Sequence, residues 1–108
     1  MIELITLCKT DDVEEEKPIA VNPDGFPALA VYLHEGDYYV TDNLCTHGMA
    51  LLTEGYQEDG EIECPFHGGA FDIKTGEATS FPCQIPIKSY PVTVEDGNVC
   101  IPVDSKDS

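Results

Sequence analysis

Short runs of apolar, β-branched and aromatic residues, separated by turn-forming residues, make up most of the pattern along the chain. Two of these runs flank the segment HEG, and two others meet at Gly97, so the pattern predicts two β-hairpins. No window carries the sustained period of an amphipathic helix. The pattern therefore predicts a mainly β, antiparallel fold, with strands in residues 2–9, 17–21, 28–33, 37–41, 88–96 and 98–103.

The stretch from residue 43 to about residue 84 does not continue this alternation. It is rich in glycine and loop residues, and we expect it to form a subdomain inserted between the outer strands. Within it, EGYQEDG predicts a turn and DGEIEC predicts the returning strand of a hairpin. A chain of 108 residues and 11.8 kDa suits one domain, residues 1–108, with this insert as a subdomain.

Charge narrows the range of partners. Twenty-one Asp and Glu residues stand against five Lys and no Arg, a formal net charge of -16. Clustered Lys or Arg, which phosphate binding needs, are absent, so nucleic acid is excluded as a partner. The acidic surface repels membranes and favours basic patches on other proteins, although it also serves solubility. With no apolar run near the ~20 residues of a membrane span, we expect a soluble, cytoplasmic monomer.

Candidate metal ligands form two short pairs inside the insert. Cys45 and His47 lie two residues apart, and Cys64 and His67 lie three apart, with sixteen residues between the pairs. Glycine follows each histidine, so the backbone can come close to a bound group and point N–H groups at negatively charged sulfur. Each pair can hold a metal centre at small cost in loop-closure entropy.

Three interpretations of these pairs compete. A tetrahedral zinc site takes two cysteines and two histidines, but its common spacing pairs like ligands with each other. A binuclear iron–sulfur centre with two cysteines on one iron and two histidines on the other suits mixed pairs, since each pair reaches both irons. In the third interpretation, buried cysteines and unrelated histidines coincide by chance.

The segments CTHG and CPFHGGAFD match the Rieske pattern C-x-H…C-x2-H. From about Leu4 to Val103 the chain resembles the small Rieske ferredoxins of bacterial aromatic ring-hydroxylating dioxygenase systems, and the carbazole dioxygenase ferredoxins are similar. The resemblance extends through DNLCTHG, KTGEATSFPC and IPIKSYPVTVEDGNV. It implies a Rieske iron–sulfur fold of two small antiparallel sheets with an inserted cluster-binding subdomain.

The resemblance also implies the roles of the residues. Cys45 and Cys64 would hold the inner iron of one Rieske 2Fe-2S cluster, and His47 and His67 the outer iron. The protein would carry single electrons from a flavin-dependent reductase to a terminal oxygenase in aromatic hydrocarbon catabolism, without itself catalysing the oxidation. Two alternatives remain at this point. One is the ferredoxin or small subunit of another Rieske system such as nitrite reductase, and the other is a structural zinc-binding interaction module.

The chain differs from the high-potential members of the wider Rieske group at positions that affect the reduction potential of the cluster. High-potential relatives carry an extra, disulfide-bonded cysteine in each cluster loop, where this chain has Ala50 and Phe66. They also carry a serine and a tyrosine that donate to cluster or ligand sulfur, where this chain has Gly69 and Phe71. Because such donors stabilise the more negative reduced cluster, the resemblance predicts a potential near the bottom of the Rieske range of about -150 to +300 mV.

The three remaining cysteines and the remaining histidine have structural interpretations that need no ligand role. Cys8 and Cys100 lie in apolar strand runs and are predicted to be buried. Cys83 lies in a proline-flanked loop that the resemblance brings near the cluster, where it covers the cluster without ligating it. His34 is predicted to be solvated in a hairpin turn.

Two further groups bear on the surroundings of the cluster. Tyr56 and Phe66 either screen the cluster from water or take part in ordinary packing. The acidic residues of the insert are predicted to surround the docking surface formed by the two cluster loops; they are Glu54, Glu58, Asp59 and Glu61.

Overall fold

Strands and turns make up almost all of the regular structure. The computed structural model describes residues 3–46, 50–66, 68–81 and 83–107. The strands are β1 (Leu4–Lys9), β2 (Ile19–Val21), β3 (Leu29–His34), β4 (Asp37–Asp42), β5 (Tyr56–Glu58), β6 (Glu61–Glu63), β7 (Ala70–Asp72), β8 (Ala78–Ser80), β9 (Ser89–Tyr90), β10 (Thr93–Glu95) and β11 (Asn98–Pro102). Within those ranges the helical segments are short 3-10 turns at Thr10–Asp12, Leu52–Glu54 and Val103–Asp107, and none is long and apolar enough to cross a membrane.

The strands form three antiparallel sheets. One has the order β1-β11-β10 and joins strands from the two ends of the described chain, and a second has the order β2-β3-β4-β9. We call these two sheets the base. The third, which we call the insert sheet, has the order β5-β6-β7-β8 and lies between β4 and β9 in sequence. The predicted fold class, mainly β with two small antiparallel sheets and an inserted subdomain of the Rieske type, is confirmed.

Three hairpins share the same two-residue connection. Glu35–Gly36, Asp59–Gly60 and Asp96–Gly97 each have positive φ at both positions, and the strand residues on either side are direct partners. This is the type I′ pattern, whose twist matches that of the strands it joins. The hairpins predicted around HEG and Gly97 are therefore present. In the insert, the segment EGYQEDG contains strand β5 and ends in the turn Asp59–Gly60, and DGEIEC contains the returning strand β6 as predicted.

Strand β3 lies between two hydrophobic cores. Its four residues from Leu29 to Tyr32 are fully buried. Leu29 and Val31 join the base core with side chains such as Val40, Tyr90, Val99 and Ile101. Ala30 and Tyr32, on the opposite face, join the insert core with Leu52, Ile62, Phe71, Ile73, Ile87 and three cysteines. The continuous apolar run of β3 thus reflects a strand covered on both faces.

Two expectations about individual segments were wrong. The run 88–96 is not one strand: β9 pairs with β4, whereas β10 pairs with β11 in the other base sheet. Pro91 lies at the change, and its missing N–H cannot support a continuous ladder. The side chain of His34 is only 15% exposed, and its Nε2 lies 3.4 Å from where a Cβ on Gly60 would stand. His34 therefore packs against the β5–β6 turn.

Candidate metal centre

Three loops bring three cysteines together in the insert core. Cys45 follows β4, Cys64 follows β6 and Cys83 follows β8, and each residue is no more than 5% exposed. The Sγ atoms of Cys45 and Cys83 are 4.0 Å apart, and the thiols of Cys45 and Cys64 are within hydrogen-bonding reach. None of the five cysteines, all of which lie in the described ranges, is in a disulfide.

The buried residue Asn43 closes the first loop. Its Nδ2 donates to Thr53 Oγ1 at 3.1 Å, and its Oδ1 accepts from Thr53 N at 2.9 Å. Its carbonyl accepts from Leu52 N at 2.7 Å. Inside this closure, Cys45 N donates to Ala50 O at 2.9 Å. Asn43 thereby fixes where the loop leaves and rejoins the fold, and with it the position of Cys45.

The second loop is a tight turn around Cys64. Cys64 N donates to Gly69 O at 2.7 Å, and the backbone N–H of Phe66 donates to the sulfur of Cys64. Burial is the main cause that raises the pKa of the Cys64 thiol, and the Phe66 N–H acts in the opposite direction because it favours the thiolate. Gly68 has φ +74°, a conformation that glycine adopts without strain.

The third loop places the thiol of Cys83 next to the thiols of Cys45 and Cys64. Cys83 N donates to Ser80 O at 3.1 Å, and Thr46 Oγ1 of the first loop donates to Ile85 O of the third at 2.7 Å. Burial first, and then the neighbouring thiols of Cys45 and Cys64, raises the pKa of Cys83 to about 12. Cys83 is therefore a buried, protonated thiol beside the two cysteines of the predicted ligand set.

The predicted ligand set fits this arrangement as far as the structure describes it. Cys45 and Cys64 are brought together from separate loops, buried and adjacent, as soft donors to a common centre must be. His47 and His67 lie outside the described residues. Among the described residues, no group of three or more His, Cys, Asp or Glu side chains is arranged to hold a metal ion.

Exposed apolar side chains lie on the three loops, and we call them the apolar rim. The rim consists of four side chains near the cysteines in sequence, with exposures from 46% to 79%: Leu44, Phe66, Phe81 and Ile85. Each lies within two residues of one of the three cysteines that meet in the insert core. Large apolar side chains this exposed indicate a surface that contacts another molecule. Phe66 was expected either to screen the cluster or to pack ordinarily, and its 56% exposure is inconsistent with ordinary packing in the core.

An acidic face adjoins the rim on the insert sheet. A groove of about 330 Å³ is lined by Tyr56, Glu58, Asp59, Glu61, Glu63, Ala70 and Ser80. Its four acidic residues, which we call the acidic face, come from the β5–β6 hairpin. Alternation along the strands explains this arrangement, since Gln57 and Ile62 point into the fold and are buried. Glu54, one of the four acidic residues predicted to surround the docking surface, is exposed but does not line the groove.

The remaining expectations have mixed outcomes. Tyr56 is 70% exposed, so ordinary packing does not account for it either. Cys100 is buried as predicted, whereas Cys8 is only half-buried, with a pKa raised to about 11 chiefly by burial. The role of Asn43 was missed by the sequence analysis; its only local signal is a small polar side chain between a strand and a glycine-containing loop.

Comparison with known proteins agrees with this description. Residues 3–91 match the family model "Rieske [2Fe-2S] domain". The ferredoxin component of the p-cumate 2,3-dioxygenase system of Pseudomonas putida is 44% identical over 95% of this chain and 88% of its own length. The naphthalene 1,2-dioxygenase ferredoxin component of the same species is 46% identical over 93% of this chain and 92% of its own.

Solved structures give the same result. The Sphingomonas yanoikuyae B1 ferredoxin is 60% identical, with a TM-score of 0.91 over 93% of this chain and 98% of its own. A ferredoxin solved in complex with the oxygenase of carbazole 1,9a-dioxygenase is 39% identical, with a TM-score of 0.86 over 92% of each chain. The chain therefore belongs to the Rieske [2Fe-2S] domain family, as a ferredoxin component of aromatic dioxygenase systems that carries electrons on a Rieske 2Fe-2S cluster.

Proposed function

We propose that Cys45 and Cys64 bind the inner iron of the cluster and that His47 and His67 bind the outer iron. The observation that carries this proposal is the meeting of Cys45 and Cys64 in one buried core, each followed by a histidine two or three residues later. The bound cluster stores one electron. The chain's own residues would hold the cluster and exclude water from it. They form a single domain of residues 1–108, whose cluster-binding part spans about 43–84.

Replacement of the histidines tests this ligand set. His67→Ala should abolish the Rieske electron paramagnetic resonance signal, because metal binding and local folding are coupled. His34 supplies the matched control, since it is the remaining histidine of the chain. Because His34 packs against the β5–β6 turn, His34→Gln is a better control than alanine, and it should keep the signal. A normal signal in purified His67→Ala protein would refute the assignment.

We propose further that electrons arrive from a flavin-dependent reductase and leave to a terminal oxygenase through the apolar rim. Two observations support this route. The rim is formed by residues of the loops that carry the cysteines, and one similar ferredoxin was solved in complex with an oxygenase. A transient complex needs a small contact of this kind, since rapid turnover is incompatible with a large dry interface. The carrier would act in the cytoplasm as a monomer, without nucleic acid or membrane.

The acidic face would steer the partners to the rim. Glu63 directly precedes Cys64, and Ala70 of the same groove directly follows Gly69, so the acidic face begins one residue from the cysteine loop. Exposed carboxylates on one side of the contact attract a basic patch and raise the association rate. Encounter rates with both partners should therefore fall as the Debye length shrinks below about 10 Å.

Charge reversal at two places separates steering from solubility. The double variant Glu58→Lys, Glu61→Lys reverses two charges on the acidic face. The double variant Glu14→Lys, Glu16→Lys reverses two charges on exposed residues between β1 and β2. Glu15 is left unchanged because its Oε1 accepts a hydrogen bond from Gly36 N at 3.4 Å. Stopped-flow reduction should be slowed about tenfold or more at low salt by the first pair and little by the second. Equal slowing would show that total charge, rather than the acidic face, governs the encounter.

A further inference from the structure

The thiol of Cys83 has no place in the ligand pattern, yet it lies deep in the site. Its Sγ is 4.0 Å from the Sγ of Cys45, in a residue that is 5% exposed. Its neighbours Phe81 and Ile85 point outward on the apolar rim. The third loop therefore turns this one side chain inward, towards a proposed ligand sulfur, while it presents its apolar side chains to the surface.

Gly69 makes room for this approach. A Cβ on Gly69 would stand 2.4 Å from Cys83 Sγ and 2.9 Å from Cys83 N, far inside van der Waals contact. The φ of Gly69 is not in the left-handed region, so backbone conformation does not require glycine here. Close approach does, because the sulfur of Cys83 fills the space that a side chain at position 69 would occupy. A serine hydroxyl, the donor that high-potential relatives carry at this position, could not share that space.

We infer that the Cys83 thiol donates a hydrogen bond to the sulfur of Cys45 and raises the reduction potential of the cluster. The inference rests on the ligation by Cys45 proposed above. A cysteine bound to iron is a thiolate without a proton, so in this sulfur pair only Cys83 is able to donate. The nearby hydroxyl of Tyr32 is already engaged, at 2.9 Å from Thr41 Oγ1, which itself donates to Asp42 O.

The sign of the effect distinguishes a hydrogen bond from simple coverage. Reduction adds one negative charge to the cluster, and a donor to a ligand sulfur stabilises that charge. Loss of the donor therefore lowers the potential. If Cys83 only excluded water, a smaller side chain would admit water, which also stabilises the added charge, and the potential would rise. The two roles of Cys83 predict shifts of opposite direction.

The experiment measures the midpoint potential of Cys83→Ala, Cys83→Ser and Cys83→Val, each as the cluster-containing protein. Cys83→Ala should shift the reduction equilibrium towards the oxidised form by a factor of roughly two to ten, where tenfold corresponds to about 59 mV for one electron. Cys83→Ser, which keeps a donor, should lie above Cys83→Val. Cys100→Ala serves as the control, since Cys100 is an equally buried thiol on β11 in the base, and it should leave the potential unchanged.

A second readout detects the proton itself. Electron–nuclear double resonance of the reduced protein should show an exchangeable proton coupling that disappears in Cys83→Ala. An unchanged or higher potential in Cys83→Ala, or a Ser variant at or below the Val variant, overturns the inference. If Cys83→Ala binds no cluster, the comparison of Ser with Val decides alone.

Failure of the ligand assignment gives a different result. If Cys83 were a ligand in place of Cys45, all three Cys83 variants would lose or alter the Rieske paramagnetic signal, and Cys45→Ala would keep it. Retention of the signal in the Cys83 variants, with its loss in Cys45→Ala, leaves the ligand set intact. The potential then tests the hydrogen bond on its own.

Discussion

The base core and the insert core share strand β3 but differ in what fills them. The buried side chains of the base core are hydrocarbon except for the hydroxyl of Tyr90, and Val31, Val99 and Ile101 are completely buried. The insert core also contains fully buried apolar residues, such as Ile62 and Phe71, but three thiols lie among them. A core of Val, Leu and Ile is stabilised by its own burial, whereas thiols contribute less and two of these three are proposed metal ligands.

The two regions are also closed in different ways. Strands β1 and β11 pair from Leu4 to Lys9 with one irregularity at Leu7, so the two ends of the described chain hold the base together. The insert sheet is reached through the cysteine loops, which short backbone hydrogen bonds and the Asn43 side chain hold in place. We therefore predict that the base is stable by its own packing and that the insert depends on its cluster.

The largest expected effect is that of removing the cluster. In the apoprotein, amide hydrogens of β5, β6, β7 and β8 should lose most of their protection from exchange, because the thiols lose their common centre. Amides of β3 and β11 should keep theirs. Hydrogen exchange of holo and apo forms, resolved by residue, provides the measurement. Loss of protection throughout β1, β3 and β11 would show instead that base and insert unfold as one unit.

A matched pair of isoleucines sharpens the comparison. Ile62 on β6 and Ile101 on β11 are both fully buried, one in each core. In the holoprotein, replacement of either by alanine should lower the free energy of unfolding by about 2–5 kcal/mol. In the apoprotein, Ile101→Ala should keep this effect, while the effect of Ile62→Ala should shrink to less than about half, since its surroundings are already loosened. Urea unfolding of the four proteins gives the values, and equal losses in apo Ile62→Ala and Ile101→Ala would contradict the proposed difference.

The base was more predictable from the sequence than the insert, for a physical reason. Alternating side chains and turn glycines are local signals, and they placed most of the base strands and the hairpins at Gly36 and Gly97. Pro91 is also a local signal, because it interrupts the run 88–96 that the hydrophobic pattern predicts as one strand. The ligand pattern at Cys45 and Cys64 was recognisable because it too is a short-range spacing.

The contacts that no local pattern reveals join residues far apart in the chain. Cys83 reaches Cys45 across thirty-eight residues, and His34 packs against the turn at Gly60. No pattern around Cys83 shows which way its side chain points, because the third loop lacks a strand period. The second glycine after the predicted ligand His67 was a usable signal, since Gly69 marks a close approach, although it does not identify the group that approaches.

The smallest expected effect concerns two hairpins with the same turn. In the insert, the residues that flank Asp59–Gly60 are Glu58 and Glu61, which are direct cross-strand partners. In the base, the residues that flank Asp96–Gly97 are Glu95 and Asn98. Both turns have the same positive φ pattern, so the two hairpins differ at this position in whether like charges face each other.

Like charges placed directly opposite destabilise a strand pair, whereas a charge opposite an amide does not. Glu58→Gln should therefore raise the free energy of unfolding of the holoprotein by about 0.2–1 kcal/mol, and the gain should diminish as salt screens the repulsion. Glu95→Gln, the matched change in the base, should leave it nearly unaltered. Urea unfolding at low and high ionic strength measures the free energy of unfolding of both variants. Equal changes in the two variants would mean that repulsion between Glu58 and Glu61 does not destabilise the hairpin. If Glu58→Gln is both more stable and slower to accept electrons, the acidic face is maintained at a cost in stability. The insert would then differ from the base in its surface as well as in its core, because it is adapted to its cluster and its partners rather than to folding alone.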